Sequence, residues 1–290
     1  MAQPVRPEAL PSIPAGTPDP GLYIVATPIG NLADITLRAL AVLGGASLIA
    51  CEDTRVTGKL LKHYGIKARL QRLDDHASPD VRARVIDEAR HSPVVLVSDA
   101  GTPLISDPGY RLVREARAAG VTVTSIPGPC AAISALAIAG LPSDRFLFAG
   151  FLPVKDKART DMLEGLAGVT ATLVFYETAP RLERSLRALA ELWPEREVAV
   201  ARELTKLHEE CRSGTAAALA EHFTAHPPKG EIVLLIGPPA AAEAPLLDTD
   251  ALLRAALAEA GPGKAAGVVA KATGIDRAVL YARALELKGE

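Results

Sequence analysis

The sequence predicts an α/β fold of two consecutive α/β domains followed by a small helical module. Three observations carry that expectation. Short aliphatic and β-branched runs alternate with helix-length stretches from residue 21 to residue 236. The segment VVLVSDAGTPLISDPGY, residues 94–110, joins a run that suits a strand buried on both faces to a turn that neither strand nor helix can continue. An alanine-proline stretch, residues 238–245, separates this alternation from a tail with helical periodicity only.

Taken in order, residues 1–20 carry six prolines and almost no apolar periodicity, and read as a disordered leader. The N-terminal domain, 21–142, then offers strands at 22–26, 47–51, 69–73, 94–97 and 121–125. Between and after them lie helices near 33–43, 57–64, 79–90, 108–119 and 131–139. Ser78 suits the N-cap of the third helix and Pro79 its first turn. The second domain, 143–237, repeats the alternation with strands at 146–148, 172–176, 198–201 and 231–236. Helices are expected near 158–166 and 180–192 and up to about 223, with a polar segment at 202–214. Residues 238–249 read as a linker, and 250–290 as the helical tail, a possible helix-turn-helix.

Composition narrows the class further. A chain of 290 residues, 49% hydrophobic and 23% charged, has ample material for two cores. No apolar run reaches the roughly 18 residues of a membrane span, and the N-terminus lacks the basic-then-apolar order of a secretory signal, so a cytoplasmic protein with no membrane partner is expected. Cys51, Cys130 and Cys211 form no CxxC pair and read as reduced thiols. A net charge of −2 argues against nucleic-acid binding by bulk electrostatics but leaves room for a local basic face. The turn after the first strand lacks GxGxxG, which argues against a nicotinamide dehydrogenase. In Gly261-Pro262-Gly263-Lys264, Ala258 and Ala265 stand where a phosphate loop needs Gly and Ser or Thr. His222 and His226 have zinc-pair spacing, yet no Glu lies between them and two prolines follow, so no metal is expected.

The turn within 94–110 is the first candidate site. In open α/β sheets ligands bind at the carboxyl ends of the strands, and Gly101 and Gly109 allow close backbone approach while Asp99 and Asp107 supply acceptors. The plain alternative is a polar turn entering a helix. In the tail, residues 265–285 have helix-turn-helix spacing around Gly274, with Arg277 and Arg283 available to phosphate; a small helical cap explains the pattern equally well. Residues 54–73 hold Arg55, Lys59, Lys62, Lys67, Arg69 and Arg72 and not one acid, which reads either as a phosphate track or as a solvated face whose acids lie elsewhere in space.

Eight motifs then occur in a fixed order: LYIVATPIGNLADITLRAL (22–40), CEDTR (51–55), SDAGTPLISDPG (98–109), IPGPCAAISAL (126–136), FAGFLP (148–153), FYETAPRL (175–182), ARELTKLHEE (201–210) and GEIVLLI (230–236). Together they resemble the tetrapyrrole methylase superfamily. Within it they are most similar to the branch that methylates the ribose 2′-oxygen of a cytidine in 16S rRNA. The GDP usual in the tetrapyrrole branch is here Ser98-Asp99-Ala100, which favours the RNA branch. The resemblance implies two α/β domains with S-adenosylmethionine in the cleft between them, a homodimer, and 16S rRNA of the small ribosomal subunit as partner. It carries cofactor contacts to Pro28, Ile29 and Gly30, to Ser98, Asp99, Gly101, Thr102 and Ile105, and to Ala131 and Ala132. In the second domain it carries them to Tyr176, Leu204 and Ile232. Glycine turns without a phosphate-binding lysine suit that cofactor, which has no phosphate.

A ribose hydroxyl is a poor nucleophile until its proton is removed or its charge stabilised. Glu177, Glu203, Lys206 and His208 are the candidate base or orienting groups, with Arg55 or Arg202 to hold a phosphate; alternatively, Glu203 and Lys206 pair with each other. Arg55, Lys59, Lys62 and Arg69, or else Lys155 and Lys157, are the candidate RNA contacts. Two other functions stay open on sequence alone: methylation of a tetrapyrrole or corrinoid precursor, and a nucleic-acid-binding regulator that retains a cofactor pocket.

Overall fold

The computed structural model describes residues 17–74, 77–239, 249–273 and 275–289. Most of the expected leader and linker, and Gly274 of the expected turn, lie outside them. Residues up to Pro238 belong to one compact unit, which holds both sheets, and Pro239–Glu290 to a second.

The first sheet is wholly parallel. Its strands are β1 (Gly21–Val25), β2 (Leu48–Cys51), β3 (Leu70–Arg72), β4 (Pro93–Val97) and β5 (Val123–Ile126), in the order β3-β2-β4-β1-β5. β2 and β4 are buried along their full length, as expected for strands covered on both faces. Helices α1 (Leu37–Gly45) and α2 (Thr54–His63) share one apolar core with Val25, Val95 and Val97. Helices α3 (Pro79–Ala89) and α4 (Tyr110–Ala118) share another with Leu22, Val94 and Leu96 on the opposite face. The chain therefore leaves neighbouring strands β1 and β4 towards opposite faces. That is a topological switch point, where a crevice opens at the strand ends.

Most boundaries follow local chemistry. Ser78 caps α3 by accepting from the Val81 amide, with Pro79 in the first turn, as the sequence predicts. The helix expected near 33–43 is instead a 3-10 turn, Leu32–Asp34, followed by α1, because Thr36 accepts from Ala39 N at 3.1 Å and starts the helix there. α2 begins earlier than expected because Asp53 is its N-cap.

The second sheet is mixed. Its strands β6 (Phe146–Phe151), β7 (Thr172–Thr178), β8 (Glu197–Arg202), β9 (Glu210–Thr215) and β10 (Glu231–Ile236) run in the order β6-β7-β10-β8-β9, with only β6 and β7 parallel. β9 falls largely in the segment read from sequence only as polar, 202–214. Helices α6 (Asp156–Gly165), α7 (Ala179–Leu192) and α8 (Ala216–Ala225) cover one face through Leu163, Leu182, Leu186 and Phe223. Helix α5 (Ala131–Ile138) packs on the other with Ala132, Ala135 and Leu136 against Val174, Ala199, Val233 and Leu235. Its small side chains let the first half of the chain approach this sheet closely, and Ile29 and Leu204 extend the same core to the crevice.

In the second unit, α9 (Thr249–Glu259), α10 (Pro262–Thr273) and α11 (Arg277–Gly289) enclose a core of their own from Leu253, Ala266, Val269, Leu280, Ala284 and Leu287. No helix among the described residues is long and apolar enough to cross a membrane.

Candidate active site

The loops leaving the strand ends of the first sheet are tied into one floor. Thr27 and Gly101 exchange both backbone hydrogen bonds, at 2.9 and 3.0 Å, so the β4 loop folds back across the end of β1. Ser98 is buried beneath them, its hydroxyl donating to Ala100 O at 3.2 Å. Asp53 N donates to Asp99 Oδ1 at 3.1 Å, and the Thr102 hydroxyl donates to Pro129 O at 3.0 Å, so the loops after β2 and β5 join as well. Gly101 makes this possible. Its φ of +79° is left-handed, and a Cβ there would lie 3.3 Å from Ile29 Cγ2.

Above this floor lies a cavity of about 380 Å³, within the range of small-molecule sites. From the first half of the chain it is lined by Ile29, Asp99, Gly101, Thr102, Ile105 and Ala131, and from the second by Tyr176, Leu204 and Ile232, all carried over from the family resemblance. The other four sit beside it. Pro28 and Gly30 flank Ile29, Ser98 underlies the floor, and Ala132 is buried behind Ala131 against the second sheet. The lining also includes Asp107, Glu177 and Glu231, and among the described residues no Lys, Arg or His. Burial, with Glu52 and Asp99 nearby, pushes the Asp107 carboxyl up to about 6 despite its hydrogen bond with Ser98. A cation entering the cavity would restore the ionised form, whereas a phosphate would meet only repulsion. Burial also raises the Tyr176 phenol, which therefore stays a neutral donor.

Four non-glycine residues among those described have left-handed backbones, and they form two pairs: Leu104 and Ser106, with φ of 73° and 64°, and Glu203 and Thr205, with φ of 49° and 64°. Each pair flanks one apolar wall residue, Ile105 in the first and Leu204 in the second. Such strain persists only where the surroundings impose it, and here it fixes both walls of one cavity.

The sequence-predicted catalytic residues fall in two places. Glu177 is buried on β7 and lies at the cavity's edge, but its carboxylate accepts from Thr178 N at 2.8 Å and Ser185 Oγ at 2.7 Å, with Arg181 Nε at 3.2 Å. Those three partners engage both carboxylate oxygens and tie the end of β7 to α7. Glu203 and Lys206 pair at 2.9 Å, the second of the two arrangements the sequence allows, and Lys206 also reaches Glu231 at 2.8 Å. Burial alone would lower the Lys206 ammonium; the two carboxylates hold it above its ordinary range. Neither lines the cavity, but Lys206 lies over Gly30 and Glu203 over Gly230, so the trio forms its rim. Thr205 in the same loop accepts from Asn31 N at 3.2 Å and joins this rim to the β1 loop.

The candidate RNA contacts are dispersed. Arg55 pairs with Asp53 at 2.6 Å and Arg69 with Glu88, so acids outside the window 54–73 neutralise part of its charge. Lys59 and Lys62 are exposed on α2. Lys155 is exposed at the N-cap of α6, and Lys157 pairs with Asp161 at 2.9 Å. In the tail, Arg283 binds Asp250 and Glu286, and the exposed Arg277 donates to Gly263 O at 3.2 Å.

Residues 21–220 match the family model described as Tetrapyrrole (Corrin/Porphyrin) Methylases. The chain belongs to the tetrapyrrole methylase family. Residues 243–288 match a second model, the RsmI C-terminal HTH domain, in the region where the sequence allows a helix-turn-helix or a cap. Among relatives, the ribosomal RNA small subunit methyltransferase I of Erythrobacter litoralis is 64% identical over 93% of this chain and 96% of its own. That of Escherichia coli O157:H7 is 48% identical over 92% and 96%. Solved structures share the methylase fold at low identity. A diphthine synthase has a TM-score of 0.58 at 16% identity, covering 74% of this chain and 89% of its own. A uroporphyrin-III C-methyltransferase from Thermus thermophilus, complexed with S-adenosyl homocysteine, has 0.52 at 19%, covering 75% and 97%.

Within this tetrapyrrole methylase fold the cavity also uses Ser106, Phe151, Gly230 and Val233, none of them among the sequence-predicted contacts. All four lie in the quoted motifs, but only the fold, which sets the β4 loop opposite the second sheet, brings them to one cavity.

Proposed function

We propose that this chain transfers a methyl group from S-adenosylmethionine to the ribose 2′-oxygen of a cytidine in 16S rRNA of the small ribosomal subunit. One observation carries the cofactor reading: the cavity at the switch point is walled by apolar and acidic groups, with no lining cation among the described residues. A sulfonium and an ammonium suit Asp99 and Asp107, and an adenine ring suits Ile29, Ile105, Leu204 and Ile232. The cofactor, when bound, supplies an electrophilic methyl group. The RNA reading is supported by relatives that match this chain from the methylase domains into the tail and carry the ribosomal RNA name. A tetrapyrrole acceptor, the runner-up, has the fold in common but does not account for the tail match.

In this reading Asp107 and Asp99 hold the positive end of the cofactor, and the floor tied by Thr27 and Gly101 sets its depth. Tyr176, neutral and half-buried, closes the second-domain wall. Lys206, held by Glu203 and Glu231 at the rim, meets the incoming ribose and steadies charge on its 2′-oxygen. Glu177 is a positioning residue that clamps the β7 end to α7 through Ser185 and Arg181. Lys59 and Lys62 contribute attraction to phosphate. The exposed apolar side chains of Ile133 and Ile138 on α5, and of Phe146 and Phe151 on the edge strand β6, suit burial against a second copy. The ribosomal substrate puts the protein in the cytoplasm.

The test is methyl transfer from labelled S-adenosylmethionine to assembled small subunits, to a corrinoid precursor and to no acceptor. Label in 16S rRNA at a ribose supports the proposal, and label only in the corrinoid overturns it. Sedimentation of the purified chain reads the dimer.

A further inference from the structure

We infer that the outward face of α4, formed by Tyr110, Arg111, Arg114 and Arg117, carries the phosphate backbone of the RNA acceptor past the mouth of the cavity. This rests on the RNA reading above and adds a surface to it. At 100° per residue, Tyr110, Arg114 and Arg117 lie within about 60° of one another and Arg111 within about 120° of all three. The opposite side of the helix, Leu112 and Ala116, is fully buried. All four face residues are exposed, Tyr110 by 65%.

What separates this face from an ordinary solvated one is the absence of internal counter-charge. None of the three arginine side chains makes a hydrogen bond or ion pair among the described residues. The acid of the same helix, Glu115, is already bound by the buried Arg82 of α3 at 3.0 Å. Helix α7 has arginines at the same spacing and shows the contrast. Arg181 lies 3.2 Å from Glu177, Arg184 3.0 Å from Asp156 and Arg187 2.8 Å from Glu183. Like charges three apart repel, and Arg111 sits in the first turn, where the helix dipole disfavours a cation. Nothing within the described fold offsets either cost, so an external anion is the natural counterpart.

Position supplies the kind of anion. Asp107 lines the cavity and Tyr110 follows three residues later, across Gly109, whose positive φ and close approach to Leu96 Cδ2 fix where the helix starts. The face therefore runs outward from the cavity wall for roughly 10 Å, enough to follow a few nucleotides of a single strand. An exposed aromatic beside arginines is the composition that stacks a base while holding its phosphates.

The experiment uses the full chain and small ribosomal subunits lacking the modification, and measures binding across a range of salt concentrations. Arg111→Gln, Arg114→Gln and Arg117→Gln together should weaken binding by more than about tenfold and lower the salt slope by about 2 to 3. Tyr110→Ala should weaken it about fivefold or more. Cofactor affinity by calorimetry and the melting temperature should match the parent. Arg184→Gln with Arg187→Gln, which removes charge from α7, should leave binding close to the parent's. If the triple variant keeps the parent's affinity and slope, or if its loss accompanies a changed oligomeric state, α4 is not the RNA face. If the parent itself binds no subunits, the RNA reading falls and takes this inference with it.

Discussion

Gly30 illustrates how a single missing side chain couples two loops. A Cβ there would meet Lys206 Cγ at 2.5 Å and Cε at 2.8 Å, so the lysine stem needs that space to reach Glu203 and Glu231. Gly30→Ala should lower the melting temperature slightly, since Lys206 must give up its place against Glu203 and Glu231. It should slow methyl transfer several-fold with cofactor affinity unchanged, read by single-turnover rates beside calorimetry. Asp107 yields a prediction in pH. Its carboxyl is raised to about 6 in the free protein, so the fold favours the neutral form. Stability from this group is full below the ordinary carboxylate range and is lost as pH rises through about 6. A cationic ligand favours the opposite form, so cofactor affinity should be full above about 6 and fall below it, by at most about tenfold per pH unit. Asp107→Asn should flatten that profile, weaken binding at pH 8 and raise the melting temperature of the free protein. A pH-independent parent would remove Asp107 from the cofactor's cationic end. That Asp107 is an acceptor beside a glycine turn is legible in the sequence. Its elevated pKa is not, because Glu52 and burial reach it only through the sheet.

At the scale of elements, the paired left-handed residues around Ile105 and Leu204 act as two rigid jaws. A left-handed non-glycine residue costs about 1 to 2 kcal/mol, part of which glycine returns as unfolded-state entropy. Ser106→Gly should therefore leave the melting temperature equal or slightly raised. The freed loop would then have to be ordered by the ligand, so cofactor affinity should drop several-fold; unchanged affinity would mean that the strain serves something else. The parallel sheet and the β4 loop could be read in advance because buried strands and glycine turns are local signals. β9 could not. Cys211 is the only apolar residue of Glu210–Thr215, so no alternation announces the strand, and its place at the sheet edge depends on pairing with β8. Charge misleads in the same way: residues 54–73 look uniformly basic until Asp53 and Glu88 are brought beside Arg55 and Arg69.

At the scale of the whole molecule, the tail is the part whose contribution can be isolated. Leu253, Ala266, Val269, Leu280, Ala284 and Leu287 bury one another, so α9 to α11 carry their own core. The cavity draws every lining residue from Ile29 to Val233, upstream of the segment that joins the two units. Removing residues 246–290 should therefore leave cofactor affinity within about twofold of the parent, because no cavity contact is lost. In the tail Arg283 is held by Asp250 and Glu286, while Tyr281 and Leu285, four residues apart, are exposed on one face of α11. Such a face contributes through shape and apolar contact more than through counterion release. The truncated chain should then methylate small subunits more slowly, with a raised subunit KM, and with a salt slope close to the parent's. Calorimetry, subunit methylation and the salt titration on one truncated preparation decide among the outcomes. Equal loss of cofactor binding would make the tail a structural cap, and a salt slope lowered by 2 or more would make it a phosphate-binding module after all.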